Sequence, residues 1–206
     1  MMSFEIDISN CQKTVAVDCH AIRAAILHAL QIEHVASAVL SVSIVDNAAI
    51  RVINRDHLQH DYPTDVLSFQ LGFETAEDYD DSDSDDDDSD NDDSTSADEP
   101  QPTPSCQMFA AASLDAAASA LRAAGAAIEG EIIASAEIAE DMASEGRWST
   151  QDELTLYIIH GLLHICGYDD LMPEQQTIMR SRERVILNAT GRHPVYAEDP
   201  KTMIPP

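Results

Sequence analysis

His160-Gly161-Leu162-Leu163-His164-Ile165-Cys166-Gly167-Tyr168-Asp169-Asp170 sets two histidines four residues apart, ahead of a glycine and two carboxylates. Four helical steps come to about 400°, so both imidazoles leave one face of a helix about a turn apart. That suits two ligands of one metal ion. Gly167 lets a helix end in a left-handed bend. The chain can then fold back and offer Asp170 as a third ligand. Leu154, Ile158, Leu162 and Ile165 recur at helical spacing, and Leu156, Tyr157, Ile159 and Leu163 widen the apolar surface. This pattern predicts a largely buried helix. Thr150-Gln151-Asp152-Glu153 reads as its capping box, with Thr150 as N-cap. Histidines on such a helix need polar partners or a metal. A lone histidine would read as a satisfied core residue; the pair with Gly167 and Asp170 reads as a metal site. Three protein ligands leave a position for water, which is the arrangement of catalytic zinc, one ion per chain.

Working outward, Pro173 fits the first turn of a last helix carrying Ile178, Met179, Glu183, Ile186 and Leu187 as far as Gly191. Upstream, Ile128–Ser135 reads as a strand and Ala136–Glu145 as a short helix ended at Gly146. Toward the N-terminus, Phe4–Ile8 alternates as a half-buried strand. Asp18 precedes a helix marked by Ile22, Ala25, Ile26, Ala29 and Leu30. Val39–Val45 is a strand, and Asp46 caps a helix over Asn47–Asn54. Pro63 starts a turn into the strand Val66–Phe69. The expected fold is α+β: a single domain over 1–206 with a small mixed sheet of about four strands, helices packed on it and the metal-binding helix central.

The 206 residues carry a formal charge of -27, unevenly spread. Of 38 acidic residues, 15 fall within 74–99, a stretch without Lys or Arg, leaving 23 acids against 11 bases elsewhere. Residues 74–107 read as a disordered acidic insertion, because so little apolar surface cannot offset the entropy of ordering. The Ala-rich 108–127 reads as a helical extension of it. The acidic balance argues against a broad basic nucleic-acid surface, so an RNA would need a local patch, a metal or a larger assembly. Cys11, Cys19, Cys106 and Cys166 form no CxxC and read as reduced thiols, Cys166 as packing. No apolar run reaches membrane-spanning length, and the expectation is a cytoplasmic protein. His20, His28 and His34 have no metal-like company and read as surface or cap residues.

The stretch His160–Asp170 resembles the signature of the YbeY family, metal-dependent endoribonucleases of ribosomal RNA maturation. That pattern is His-Gly-x-Leu-His-x-x-Gly-Tyr-Asp-His, and every fixed position is kept except the last, where Asp170 stands for the third histidine. Zinc accepts carboxylate oxygen, though the added charge makes the metal a weaker Lewis acid. Asn54, Asp61 and Pro63-Thr64-Asp65-Val66-Leu67-Ser68-Phe69 match a second block of the same family. Leu58 stands where that block usually has an Arg; Arg55, His57 or His60 could replace it or be plain loop residues. Ile128–Ser135 is similar to a third segment. The resemblance covers 39–72 and 128–188. It implies zinc on His160, His164 and Asp170 and single-strand-specific cleavage. It further implies a role in 16S rRNA 3′-end maturation and late small-subunit assembly, with ribosomal RNA and the small ribosomal subunit as partners. It leaves the catalytic residues unassigned. One alternative is a non-catalytic assembly factor with a structural metal. Another is a metallopeptidase, since His160, His164, Gly167 and Asp170 also fit an extended zincin spacing; there, however, Gly161 replaces the glutamate that such enzymes use as base.

Overall fold

The computed structural model describes residues 3–75, 121–146, 148–194 and 196. The expected disordered insertion beyond Thr75, and most of the Ala-rich extension, lie outside them. The described elements are β1 (Ser3–Asn10), α1 (Cys19–Ile32), β2 (Ser37–Val45), α2 (Asn47–Leu58), β3 (Val66–Glu74), β4 (Ala127–Ser135), α3 (Ala136–Gly146), α4 (Thr150–Ile165) and α5 (Pro173–Ala189). The four strands form one mixed sheet in the order β1-β2-β4-β3, an α+β fold as expected. β1 pairs parallel to β2 and β2 parallel to β4, while β3 runs antiparallel to β4. β3 is therefore an edge strand.

Period-2 burial decides which face each residue serves. On β2, Ala38, Leu40, Val42 and Ile44 point into the main core; on β4, Ile128, Ile132 and Ala134 do the same. That face is covered by α1, α4 and α5, with Ile22, Ile26, Leu30, Leu154, Ile158, Leu162, Ile186 and Leu187 in one cluster. Ile133 and Leu67 point the other way and meet Val45 and Ile50, so α2 covers part of the second face. Helix α4 is central: it packs against β3, β4, α1, α3 and α5.

Several boundaries differ from the sequence reading for physical reasons. The N-cap of α4 is Ser149, whose side chain accepts from the Asp152 N–H, so Thr150 is the first helical residue. The carboxylate expected to close a capping box, Glu153, instead accepts a hydrogen bond from the Trp148 indole. Helix α2 runs past Asn54 to Leu58 and ends at Gln59 in the left-handed region, φ 61°. Arg55 and His57 thus sit on the last helical turn, while His60 lies in the loop that follows. His20 and His34 are exposed and His28 half-buried. No helix among the described residues is long and apolar enough to cross a membrane.

Candidate metal centre

Helix α4 presents its histidines where it crosses β3. Its close approach to the sheet depends on two glycines. A Cβ on Gly130 of β4 would stand 2.6 Å from Ile165 Cδ1 and 2.9 Å from the Phe69 carbonyl oxygen. A Cβ on Gly161 would stand 3.2 Å from both Ile132 Cγ2 and Val66 Cγ2. After Ile165 the helix stops in a turn whose Gly167 has φ 87°, the left-handed region that favours glycine. The Tyr168 N–H closes the turn on the Leu163 carbonyl at 3.0 Å. Asp170 then returns over the histidines.

The bend brings three ligand atoms together. One atom from each of His160, His164 and Asp170 lies within 4.8 Å of the others, a group that could hold a metal ion. The two Nε2 atoms are 3.1 Å apart. Asp170 Oδ2 is 3.7 Å from His160 Nε2, and Oδ1 is 3.8 Å from His164 Nε2. Tetrahedral zinc with bonds near 2.0 Å separates its ligand atoms by about 3.3 Å, so closing to a bound geometry needs shifts of only a few tenths of an ångström.

The outer nitrogens settle the tautomers. Each Nδ1 faces a group that can only accept: the Glu183 carboxylate at 2.7 Å for His160, and the Tyr168 carbonyl at 3.0 Å for His164. Both Nδ1 atoms therefore donate, and in the neutral rings both Nε2 atoms carry lone pairs. Two lone pairs pointed at each other over 3.1 Å repel unless a cation stands between them. That donor set fits a metal ion. Burial alone would lower the His160 pKa, but the hydrogen bond and charge of Glu183, with Asp170 and Asp65, raise it above the ordinary value. Glu183 responds in the opposite sense. Burial favours its neutral form, but hydrogen bonds from His160 and Tyr196 and the charges of His160 and Arg180 hold its carboxyl below the usual range.

Glu183 is fully buried on α5, and the sequence reading gave it no role at the site. A signal was available: a carboxylate on the helix face that also carries Ile178, Met179, Ile186 and Leu187 cannot be left without a partner. Cys166 is buried as expected, and burial, with the nearby Glu33 charge, pushes its thiol well up.

An open groove of about 440 Å³ runs beside the histidines, lined by β3 from Val66 to Gln70, by Asp65, by His160, His164 and Ile165, and by Leu58 at the end of α2. No Lys or Arg is among these lining residues. Of the side chains considered as replacements for a cation at Leu58, Arg55 pairs with its neighbour Asp56 at 3.0 Å. His57 lies against Phe69 with ring centroids 5.4 Å apart, and His60 stacks on Tyr62. Arg51 is held by both oxygens of Asp61, at 2.8 and 3.0 Å. The metallopeptidase reading meets a steric obstacle: a Cβ at 161 would already stand 3.2 Å from both Ile132 Cγ2 and Val66 Cγ2, on the sheet side of α4.

The family model described as Endoribonuclease YbeY matches residues 7–191. A Rhodopirellula baltica protein named Endoribonuclease YbeY is 32% identical over 74% of this chain and 54% of its own length. Proteins of the same name from Salinibacter ruber and Geobacillus thermodenitrificans are each 30% identical, over 84% and 92% of this chain and 83% and 98% of theirs. A solution structure of a Thermotoga maritima protein matches at a TM-score of 0.47 and 18% identity, over 90% of this chain and 91% of that one.

Proposed function

The chain belongs to the Endoribonuclease YbeY family and is a hydrolytic endoribonuclease, and we propose that it acts in ribosomal RNA maturation and cuts single-stranded RNA with one zinc ion held by His160, His164 and Asp170. The process is late small-subunit assembly and 16S rRNA 3′-end maturation in the cytoplasm, with the small ribosomal subunit as partner. The same reading takes 1–206 as one domain interrupted by an acidic insertion. The observation that carries the proposal is the convergence of two Nε2 lone pairs and one carboxylate beside an open groove.

Bound there, zinc would supply a Lewis acid for a phosphoryl oxygen and a water of lowered pKa. The chain's own residues do the rest. Glu183 and the Tyr168 carbonyl keep both rings in the tautomer that leaves Nε2 free. Leu58, Val66, Phe69 and Ile165 give the groove an apolar wall on which unpaired bases can lie. Ser68 and Gln70 add the neutral polar groups of the same wall.

The test is cleavage of a single-stranded RNA and of its duplex, with and without a chelator. Cutting of the single strand alone, abolished by chelation and restored by zinc, is the expected result. Cutting that survives both chelation and Asp170→Ala would overturn the metal assignment. Among the described residues no Lys or Arg lines the groove, which favours a second reading, an assembly factor whose metal is structural. Its signature is binding to small subunits without RNA cleavage.

A further inference from the structure

Two neighbouring residues of α5, Arg182 and Glu183, reach different parts of the centre. Glu183 is fully buried and accepts directly from His160 Nδ1 at 2.7 Å. Its second oxygen accepts from the Tyr196 hydroxyl. Arg182 points elsewhere. Its Nε and Nη2 both donate to Glu33 Oε1, at 2.9 and 2.7 Å, at the C-terminal cap of α1. The other oxygen of Glu33 accepts from the Tyr168 hydroxyl at 2.7 Å. Tyr168 is the residue whose carbonyl accepts from His164 Nδ1. Its ring lies under the Arg122 guanidinium, 5.1 Å from Cζ to centroid.

A buried ion pair is a costly way to join three elements, since desolvation offsets most of the Coulomb gain. Glu33 and Glu183 are both fully buried and Arg182 is nearly so. Packing alone would be served as well by apolar side chains of the same volume. What the charged cluster adds is direction: two guanidinium N–H groups converging on Oε1 fix the Glu33 carboxylate, the carboxylate fixes the Tyr168 ring, and the ring fixes the carbonyl two bonds beyond its Cα.

We propose that Arg182 and Glu183 are positioning residues that aim the two imidazoles by separate routes, Glu183 directly on His160 and Arg182 on His164 through Glu33 and Tyr168. One turn of α5 thereby sets both nitrogen ligands. The proposal rests on the metal-centre reading for its consequence, but the aiming itself exists without metal.

The experiment uses the full chain as wild type, Glu183→Gln, Tyr168→Phe and the double variant. Tyr168→Phe removes only the hydroxyl and leaves the Arg182–Glu33 pair intact. Two readouts are taken. The first is zinc affinity by competition with a chromophoric chelator. The second is the histidine-ring nitrogen resonances of the metal-free protein at alkaline pH, which report tautomer and hydrogen bonding. The expected result is a loss of about tenfold or more in zinc affinity for Glu183→Gln, as for other outer partners of ligating histidines. A smaller loss of roughly threefold is expected for Tyr168→Phe. Because the routes are separate, the losses multiply in the double variant. The ring resonances should change at His160 alone in the first variant and at His164 alone in the second. A purely structural role would lower melting temperature without moving either readout. Unchanged ring resonances in both variants, or a double variant no weaker than the worse single one, would overturn the proposal. Wild-type protein that binds no zinc but shows the selective resonance changes would leave the aiming in place and overturn the metal reading instead.

Discussion

Gly130→Ala tests how tightly α4 is seated. The new Cβ would stand 2.6 Å from Ile165 Cδ1 and 2.9 Å from the Phe69 carbonyl oxygen. Ordinary carbon–carbon contact is about 3.5–4.0 Å, so the methyl of Ile165 must move by nearly an ångström. The carbonyl belongs to an edge strand and must give by a few tenths. Overpacking of this kind costs about 1–3 kcal/mol, while replacing a strand glycine by alanine returns about 0.5–1 kcal/mol. The net is a destabilisation of up to about 2.5 kcal/mol, which for a chain of this size lowers the melting temperature by up to about 10 °C. Urea titration and thermal melts of the metal-free protein measure it. Ile165→Val removes the atom in closest contact, at its own cost of about 0.5–1.5 kcal/mol. Gly130→Ala should cost at least about 0.5 kcal/mol less in that background. The consequence reaches the site, because Ile165 follows His164 and its carbonyl accepts from Gln70 Nε2 at 2.7 Å. A cost unchanged by Ile165→Val would refute the claim that α4 is seated by the absence of a side chain at 130.

Zinc binding should weaken as pH falls: the raised His160 pKa means that a proton competes from above the ordinary imidazole value downward, with affinity falling up to about tenfold per pH unit and competing proton. Isothermal titration at several pH values checks this, and a pH-independent affinity would contradict it. Leu58→Arg places a cation on the groove and should tighten RNA binding while steepening its salt dependence by about 0.7 in log–log slope; filter binding at several salt concentrations measures both. Gly161→Ala should fold with a small loss of stability, whereas Gly161→Glu, whose Cβ would already press on Ile132 and Val66, should lose more stability and gain no peptidase activity; thermal melts and a peptide-cleavage assay check this. Deleting residues 76–106 should leave the melting temperature unchanged, since the flanking strand ends are already paired, Glu74 with Ala127; a large fall would contradict the reading of that stretch as an insertion.

The residues that converge were legible because their geometry is local. Two histidines a turn apart and a glycine that reverses the chain lie within eleven residues of sequence, His160 to Asp170. Helical and strand periodicity likewise found the four strands and the helices around them. What could not be read is set by partners far apart in sequence: Glu183 lies 23 residues from His160, and Arg182 lies 149 from Glu33. No spacing rule joins them, and only the packing of α1, α4 and α5 brings them together. The end of α2 was missed for a different reason. Gln59 takes the left-handed conformation that glycine usually marks, so the sequence carries no stop signal there. The N-cap of α4 lies one residue earlier because Ser149, equally suited to the role, takes the Asp152 N–H and pairs its hydroxyl with the Asp152 carboxylate.

The central claim is that His160, His164 and Asp170 hold one metal ion, and its most direct measurement is elemental analysis of the purified full chain beside Asp170→Ala. The expected result is close to one zinc per chain in wild type, lost or loosened on dialysis in the variant while both proteins stay folded. Folded wild-type protein that carries no metal and takes up none when zinc is added would contradict it.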